Sequence, residues 1–582
     1  MKKRICVLLG IAMLTLSACG QSVSVNVTQP SSDETDSVTD EAESVTDEVP
    51  EEETVQSSAD DQKAEDITAL PKYKVVKNYY IQRYSGSNAT DGDGDSLEGK
   101  EVYDGVIETL MVADESKDLF PDLYDSFNAA AKDEIKAAAD DCTARMKEAD
   151  DDADTSFADK RPFIGPWSDY SKVNITRADS KVISYTIDIT NFYGGAHGMY
   201  GRLGATYDVA TGKKLTLSDI ADVSQDKLVP VLKEKILATG NPEDFNDLDE
   251  ALKKYSLTAT NTFADDEEAT EAGFDWFLGF DGVHFYFGPY EIAAYAVGET
   301  EVVLGYDEFP GTVDDKYIPD TDSGYIVSGD IPMESSAYDF DTNTSLHFIY
   351  QTEDEQYDAS GDVDCTALTL KQGDKSATAD DEYFYYNRNY DSLEQYRVVT
   401  KDGREYVYVL ARSMNDYVEV IVFDITGGDI RLAGTTSSHL YSVDGDTDYA
   451  GEYVLTDPDD MYFADVGDML GTYIFYGRYV VGSDGLPEFV DKDYKISWIS
   501  DEIKSLKDIE ATVLDGDGNE KEITTVPSGT HFTPVRTDNK SYMDCVLDDG
   551  STVRLNYTNG DYPAQIDGVN VDDLFDGLVY AG

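Results

Sequence analysis

Apolar residues between Leu119 and Met146 recur every three or four positions, the spacing of one face of an α-helix. We predict an amphipathic helix here, ended by the acidic segment Glu148–Asp154. A second helix is predicted at about Asp226–Ala238, with Gly240 as its C-terminal stop. The first apolar face consists of Phe120, Leu123, Phe127, Ala131, Ile135, Ala138, Cys142 and Met146.

Alternating and β-branched runs on both sides of the long helix predict strands. The runs Tyr207–Val209 and Leu215–Leu217 flank the turn Ala210–Lys213 and are predicted to form a hairpin. Helices and strands together predict an α+β domain over residues 70–312. The predicted strands are Tyr73–Arg83, Val173–Ile175, Val182–Ile189, Tyr207–Val209 and Leu215–Leu217.

Beyond Pro310 the chain becomes rich in Tyr, Asp and Gly, and its apolar runs shorten. We predict a β-rich domain of unknown role at 315–500 and a last unit of short strands at 505–582. The turns of the last unit, such as Asp549-Gly550 and Ile566-Asp567-Gly568, resemble a small SH3-like module of clostridial surface proteins. The predicted fold class is thus an α+β N-terminal domain followed by β-rich domains, with a C-terminal small SH3-like β barrel. The clearest β-like runs are Val407–Leu410, Val418–Ile425 and Tyr473–Val481.

The N-terminus has the pattern of an export signal. Lys2 to Arg4 are basic, and the apolar stretch Ile5–Leu16 is shorter than the roughly 20 residues that span a bilayer. Leu16-Ser17-Ala18-Cys19 resembles the bacterial lipobox, in which the cysteine is lipidated. The alternative is an ordinary secretory signal with an accidental cysteine. We predict a signal peptide at 1–19, lipidation at Cys19, and an extracytoplasmic protein anchored by lipid to the bacterial cell membrane.

Residues 20–68 are predicted to be a disordered acidic tether. Between Ser31 and Asp66 there are fifteen Asp or Glu residues against one Lys, and no aromatic residue. The whole chain has a formal net charge of −73, which argues against nucleic acid or an anionic bilayer surface as a partner. The charge favours cationic partners, or simply keeps an exported protein dispersed.

The cysteines do not indicate a disulfide framework, and the acidic loops do not match an EF-hand calcium site. Cys142, Cys365 and Cys545 are odd in number and far apart, so we expect buried or free thiols, with a stray pair as the alternative. Acidic loops at 91–95, 444–448 and 515–519 lack the Gly and Glu that an EF-hand needs at its sixth and twelfth positions. We interpret them as solvated turns, with calcium binding by another geometry as the alternative.

Two motifs, roughly ninety residues apart, go beyond general patterning. One is Tyr193-Gly194-Gly195-Ala196-His197-Gly198, and the other runs from Phe285 to Ala293 and on to Tyr295-Ala296-Val297-Gly298. In order and spacing they resemble the extracytoplasmic domain shared by RsiV-type anti-sigma factors and PdaC-type peptidoglycan deacetylases, over about residues 70–312. Ala294 stands where that family often has Pro. The motif positions taken as site residues without an assigned role are Gly194, Gly195, His197, Pro289, Tyr290 and Glu291.

The resemblance implies binding more than catalysis. In the anti-sigma relatives the outer domain binds lysozyme and a cytoplasmic segment holds a sigma factor, but here only Met1 to Arg4 precede the apolar stretch. The deacetylase relatives have a separate catalytic domain with an Asp-Asp pair and two His four residues apart. We expect that domain to be absent, because the five His of this chain are isolated: His197, His284, His347, His439 and His531.

His197 could act as a general base or ligand, but no Cys, Ser or second His is near it in sequence, so a structural role beside Gly194 and Gly195 is favoured. Trp167, Trp276 and Trp498 could stack on sugars, although core positions are favoured. We expect no catalytic residue, cofactor or metal site.

The first functional hypothesis is a non-enzymatic lipoprotein that binds a wall-associated partner, either lysozyme or another muramidase, or peptidoglycan. The alternatives are an envelope-glycan-processing enzyme or accessory subunit with its site in 315–500, and a spacer that packs against another envelope protein.

Overall fold

A seven-stranded sheet forms the first part of the fold, and five of its strands come from the predicted α+β domain. The strand Tyr73–Arg83 coincides with its prediction residue for residue. Antiparallel and parallel pairing places the strands in the order Ser442–Val443, Gly451–Tyr453, Tyr73–Arg83, Glu101–Val112, Trp167–Ala178, Val182–Phe192, Met199–Asp208. These five strands are β1 (Tyr73–Arg83), β2 (Glu101–Val112), β3 (Trp167–Ala178), β4 (Val182–Phe192) and β5 (Met199–Asp208).

This computed structural model describes most of residues 70–582, which form one compact unit. The predicted signal peptide with Cys19, the tether at 20–68 and the acidic loop at 444–448 lie outside the described residues. No helix in the described part of the chain has both the length and the apolar character needed to cross a membrane. The gaps are residues 93, 260–271, 321–322, 330–332, 335–343, 351–361, 388–393, 413–417, 438, 441, 444–448, 500–502, 517 and 581–582.

Helix α1 spans Pro121–Asp159 and is longer than the periodicity predicts. The prediction that Glu148–Asp154 ends it is wrong. Asp150 Oδ1 accepts a hydrogen bond of 2.9 Å from the Ser85 amide, and Asp154 Oδ1 accepts one of 2.6 Å from the Tyr84 hydroxyl. These partners, together with buried alanines at 149 and 153, hold the acidic turns in the helix.

A second core lies beside the sheet, where the helix Gln225–Thr239 packs on a small three-stranded sheet. The predicted second strand of the hairpin, Leu215–Leu217, is wrong. Only the bridge between Tyr207 and Lys214 forms, and Thr216 and Asp219 make a capping box that starts the helical turn Leu217–Ile220. The small sheet consists of Asp275–Leu278, Gly282–Phe287 and Thr300–Gly305.

The later chain is β-rich, as predicted. Among the described residues a nine-stranded sheet is followed by a ten-stranded sheet that runs through the predicted boundary near 500. No closed barrel is found, so the SH3-like form of residues 505–582 is not confirmed. The first of these sheets comprises Tyr325–Ser328, Met333–Glu334, Thr344–Tyr350, Asp362–Gln372, Lys375–Asn387, Glu394–Val399, Glu405–Arg412, Val418–Asp424 and Arg431–Ser437.

The ten-stranded sheet contains the predicted run Tyr473–Val481 with unchanged bounds. Its strands are His439–Leu440, Met461–Gly467, Tyr473–Val481, Pro487–Phe489, Tyr494–Trp498, Ile509–Leu514, Glu520–Val526, Phe532–Thr537, Tyr542–Leu547 and Thr552–Asn556. The remaining short strands are Ala221–Asp222, Tyr255–Ser256, Ala272–Gly273, Thr312–Val313, Lys504–Ser505, Gln565–Ile566, Val569–Asn570 and Phe575–Asp576. The remaining short helices are Asp114–Ser116, Pro242–Asp244, Leu248–Ala251, Leu252–Lys254, Tyr295–Val297, Asp315–Tyr317, Thr426–Gly428 and Val571–Asp573.

The seven-stranded sheet has two unlike faces. Tyr80 packs with Cys142 and Ala149 of α1, so we call its side the helix face. Because successive residues of a strand point to opposite sides, Tyr79 lies on the other side, which we call the open face. Part of the open face is covered by the later chain, where Glu394 pairs at 2.9 Å with Lys77, two residues before Tyr79 on the same face.

Candidate functional site

The two sequence motifs meet at the end of the sheet where β4 turns into β5. The His197 ring stacks on the Tyr295 ring with 4.1 Å between centroids. His197 Nδ1 and the Tyr295 hydroxyl both bond the Gly198 carbonyl oxygen, at 2.8 and 3.0 Å. Neither motif alone predicts this contact, because Gly198 and Tyr295 are 97 positions apart in the chain.

Two further tyrosines complete an aromatic group around Tyr295. The Tyr290 and Tyr200 rings lie 5.5 and 5.8 Å from the Tyr295 ring. Tyr290 is 57% exposed. Its positive φ of 71° is unusual for a bulky residue and marks this turn as conformationally constrained. We call His197, Tyr200, Tyr290 and Tyr295 the motif cluster.

Gly194 shapes the loop that carries His197. Its φ of +75° is in the left-handed region, and a Cβ there would lie 2.8 Å from the Ile164 carbonyl oxygen and 3.0 Å from Trp167 Nε1. Gly195 has no such constraint, because the nearest atom to an added Cβ is 3.6 Å away. The structure therefore explains the first glycine by backbone geometry and gives no comparable reason for the second.

Tyr193 turns inward from the same loop, to a buried carboxylate on the helix face. Its hydroxyl donates to Asp169, which also accepts a hydrogen bond of 2.9 Å from the Tyr103 hydroxyl. Burial raises the pKa of Asp169 to about 6, although both tyrosine hydrogen bonds oppose the shift. Asp169 was not a predicted site residue, since one residue in five of this chain is acidic.

Glu291 borders the motif cluster. Its amide donates to the Gly288 carbonyl oxygen at 3.2 Å, and the Tyr255 hydroxyl lies 3.4 Å from Glu291 Oε2. The residue as a whole is exposed, yet the protein atoms crowded around its carboxylate desolvate it and raise its pKa to about 7. Pro289, half-buried, precedes Tyr290 and completes the turn.

A charged network next to the motif cluster joins β4 and β5 to the small sheet. Arg202 pairs with Asp188 at 2.6 Å and with Glu301 at 2.7 Å. His284 bonds Glu301 at 2.7 Å and Asp281 at 2.8 Å. Burial by itself would lower the pKa of His284, but the hydrogen bonds with the two carboxylates outweigh it and raise that pKa to about 9. His284 is therefore a cation at neutral pH, held in ion pairs.

The other candidate residues do not add a reactive centre. Cys142, Cys365 and Cys545 are buried and outside any disulfide, as expected. Trp276 is a core residue, Trp167 lies against Tyr193, and the Trp498 side chain lies outside the described residues.

The acidic loops are turns where they are described. Asp91 and Asp515 each accept a hydrogen bond from an amide four residues on, Asp95 and Asn519, while residues 93 and 517 lie outside the described part. In the described ranges no three His, Cys, Asp or Glu side chains are grouped so that they could hold a metal ion.

Comparisons with known proteins agree with the motifs. Residues 115–200 match the family model of deacetylase PdaC, and residues 218–307 match that of DUF3298, a family of unknown function. A DUF3298 family member from Bacteroides fragilis is 16% identical over 43% of this chain and 95% of its own, with a TM-score of 0.31. A DUF3298 family protein from Pseudomonas aeruginosa is 19% identical over 43% of this chain and 98% of its own, with a TM-score of 0.27.

No curated protein matches the chain. The two family models follow each other along the chain, and each contains or borders one of the motifs that meet in the motif cluster. The first part of this protein is therefore a domain of the PdaC/DUF3298 type.

Proposed function

We propose that this protein is a non-enzymatic, extracytoplasmic lipoprotein that binds a cell-wall-associated partner through its PdaC/DUF3298-type domain. Lipid on Cys19 anchors it, and the acidic segment 20–68 holds the folded part away from the membrane. The observation that carries the proposal is the motif cluster. Two motifs that define the domain converge there on surface tyrosines and not on a set of reactive groups.

The chemistry of the motif cluster fits a cationic protein. The ring faces of Tyr290 and Tyr295 attract Lys and Arg side chains. The chain's net charge of −73 steers such a partner toward it over a distance. A cationic muramidase such as lysozyme is the partner proposed, and peptidoglycan itself is the other outcome that a binding test can give.

The test is muramidase binding at an ionic strength near 0.3 M, where the Debye length is only about 5–6 Å and nonspecific attraction is suppressed. We expect saturable binding to the full-length protein and a loss of about tenfold or more in affinity for Tyr290→Ala and Tyr295→Ala. The control is Tyr562→Ala, a tyrosine that is 68% exposed in the C-terminal unit.

Unsaturable muramidase binding, or equal affinity for all three variants, would reject this partner. Retention on sedimented peptidoglycan that depends on Tyr290 would assign the wall polymer instead.

An envelope-glycan-processing enzyme or accessory subunit with its site in 315–500 is the alternative function. The family model that matches residues 115–200 is described as that of a deacetylase, so the test of this alternative uses the full-length protein and not 315–500 alone. Release of soluble products from purified peptidoglycan by the full-length protein would support the alternative. The SH3-like interpretation of residues 505–582 is likewise kept as a proposal, and it assigns no chemistry.

A further inference from the structure

A buried carboxylate connects the loop of the first motif to the core under α1. We call Tyr193 to Gly198 the motif loop. Asp169 of β3 is only 2% exposed, and each of its carboxylate oxygens accepts a hydrogen bond from a tyrosine hydroxyl. Tyr193 donates to Oδ1, and Tyr103 of β2 donates to Oδ2 at 2.9 Å. One acidic group therefore joins the sheet to the start of the motif loop.

The two tyrosines are enclosed to different degrees. Tyr103 is fully buried in the sheet, where it packs with Cys142 of α1. Tyr193 is half-buried, and residues 195–197 that follow it are exposed. If a hydrogen bond to Asp169 weakens, Tyr193 is therefore the partner with room to move.

The motif loop is attached at both of its ends. At the first end the Tyr193 ring lies 5.7 Å from the Trp167 ring and 4.7 Å from the Arg145 guanidinium. At the second end His197 stacks on Tyr295 of the motif cluster. A change at the first end is thus transmitted along six residues to the motif cluster.

The groups that face Asp169 leave it as a carboxyl that titrates in mildly acidic solution. Burial raises its pKa to about 6, with Asp141 of α1 raising it further and Arg145 lowering it. Cys142 of the same helix stays neutral, because burial raises the pKa of its thiol to about 12. Burial also raises the pKa of both tyrosine hydroxyls above their ordinary values, so they remain protonated.

Protonation of Asp169 and the hydrogen bond from Tyr193 oppose each other. That hydrogen bond favours the charged carboxylate and lowers the pKa of Asp169. Because linkage is reciprocal, a proton on Asp169 weakens the hydrogen bond from Tyr193 by the same free energy. Protonation also turns one accepting oxygen into a donor and removes the charge that strengthens both hydrogen bonds.

We infer that Asp169 is a proton-controlled anchor of the motif loop, which fixes the loop for the partner at neutral pH and frees it in mildly acidic solution. Asp169 is a positioning residue, because it is buried and acts through Tyr193. Release of Tyr193 shifts His197 on the Tyr295 ring, and with it the surface that the partner meets. This regulation rests on the proposed function, because it acts on the same motif cluster.

The first measurement follows the motif loop without a partner. Trp167 reports its position, because Tyr193 lies against the ring and Gly194 covers the buried Nε1. Acrylamide, a neutral quencher, is titrated into the full-length protein in detergent at pH 5 and pH 7. The difference from Trp167→Phe isolates this tryptophan. We expect quenching of Trp167 to be about twofold or more stronger at pH 5, because the loop opens locally.

Variants assign the pH effect to Asp169. Asp169→Asn is neutral at every pH and should give the stronger quenching at both. Tyr193→Phe keeps the ring and loses only the hydroxyl, so its quenching should not depend on pH. Asp561→Asn, at an exposed position, should behave as the unchanged protein. Equal quenching at pH 5 and pH 7 in the unchanged protein, or a full pH dependence in the variants at Asp169 and Tyr193, would overturn the inference.

The second measurement is the affinity for muramidase at both pH values, at an ionic strength near 0.3 M. We expect an affinity about fivefold or more lower at pH 5, and a smaller pH dependence in Asp169→Asn. Asp169→Asn keeps any contribution of Glu291, whose pKa burial raises to about 7.

The two proposals fail separately. Equal muramidase affinity at pH 5 and pH 7, beside a change in quenching, would overturn the regulation of binding by Asp169. No muramidase binding at either pH would reject the proposed partner alone, because the quenching of Trp167 still decides whether Asp169 anchors the motif loop.

Discussion

The two faces of the seven-stranded sheet place tyrosine side chains in different surroundings. On the helix face Tyr103 and Tyr193 donate to the buried Asp169 and help to close the core under α1. On the open face Tyr79 is 66% exposed, while Tyr170 is half-buried and its hydroxyl donates to the buried Asp104. The chain has 41 tyrosines, and for those in strands the alternation of side chains decides which face of the sheet each one is on.

The largest expected effect is on the helix face. The Phe127 ring lies 4.7 Å from that of Tyr207 and 5.9 Å from that of Tyr185. We expect Phe127→Ala to lower the free energy of unfolding by about 3–5 kcal/mol, through lost burial and the cavity left behind. Urea denaturation measures it, with Phe157→Ala as control, because Phe157 is 52% exposed on the same helix. Equal losses in both variants would mean that α1 does not pack on the sheet as described.

A pH dependence is expected from the same face. Burial raises the pKa of Asp169 to about 6, above its value of about 3.9 in an unfolded chain. The folded state then binds the proton more tightly, so this group makes the protein less stable as the pH rises from about 4 to about 6, by on the order of 2–3 kcal/mol.

Asp169→Asn should remove this part of the pH dependence, whereas Asp561→Asn, at an exposed position, should keep it. Denaturation midpoints between pH 4 and 7 measure the slope. The same slope in both variants would show that Asp169 is not desolvated.

Gly194 and Gly195 of the first motif allow a comparison of two adjacent substitutions, with a smaller expected loss of stability. Gly194→Ala places a Cβ 2.8 Å from the Ile164 carbonyl oxygen at a left-handed φ, so we expect a loss of about 1–2 kcal/mol. Gly195→Ala, whose nearest atom is 3.6 Å away, should cost less than about 0.5 kcal/mol. Thermal unfolding of the two variants compares them. A reversed order would mean that the loop has another conformation.

The smallest expected change in stability is on the open face. Tyr79→Ala should alter the free energy of unfolding by no more than about 0.5 kcal/mol, because the side chain is 66% exposed. Its neighbour Tyr80 packs with Cys142 on the helix face, and Tyr80→Ala should cost about 1–3 kcal/mol. Chemical denaturation of this adjacent pair tests the alternation directly. Losses of similar size would show that β1 does not separate the two faces.

The local sequence pattern was sufficient to predict those elements that depend on residues close together in the chain. Tyr73–Arg83 and Tyr473–Val481 have the predicted bounds, and the helix Gln225–Thr239 lies within one residue of its prediction. The two motifs also identified the type of the first domain. These features depend on residues near one another in the chain, where hydrophobic period and turn chemistry act.

Contacts between distant residues decided the rest. Helix α1 continues through its acidic turns because Tyr84 and Ser85, far back in the chain, bond them. Strand Gly451–Tyr453 joins β1 through the pairs Lys74–Tyr453 and Val75–Glu452, which no local pattern announces.

The candidate site shows the same division. The sequence marked Gly194, His197 and Tyr290 as motif residues, but only the tertiary structure brings the motifs into contact. The alignment of Tyr79, Val106 and Tyr170 across β1, β2 and β3 depends on strand register, which is a property of paired strands and not of any single one. Sequence by itself therefore determined the position of several elements and the domain type, while the anchor at Cys19 stays a prediction. The fold decided which side chains share a surface, because that is set by pairing and packing across the whole chain.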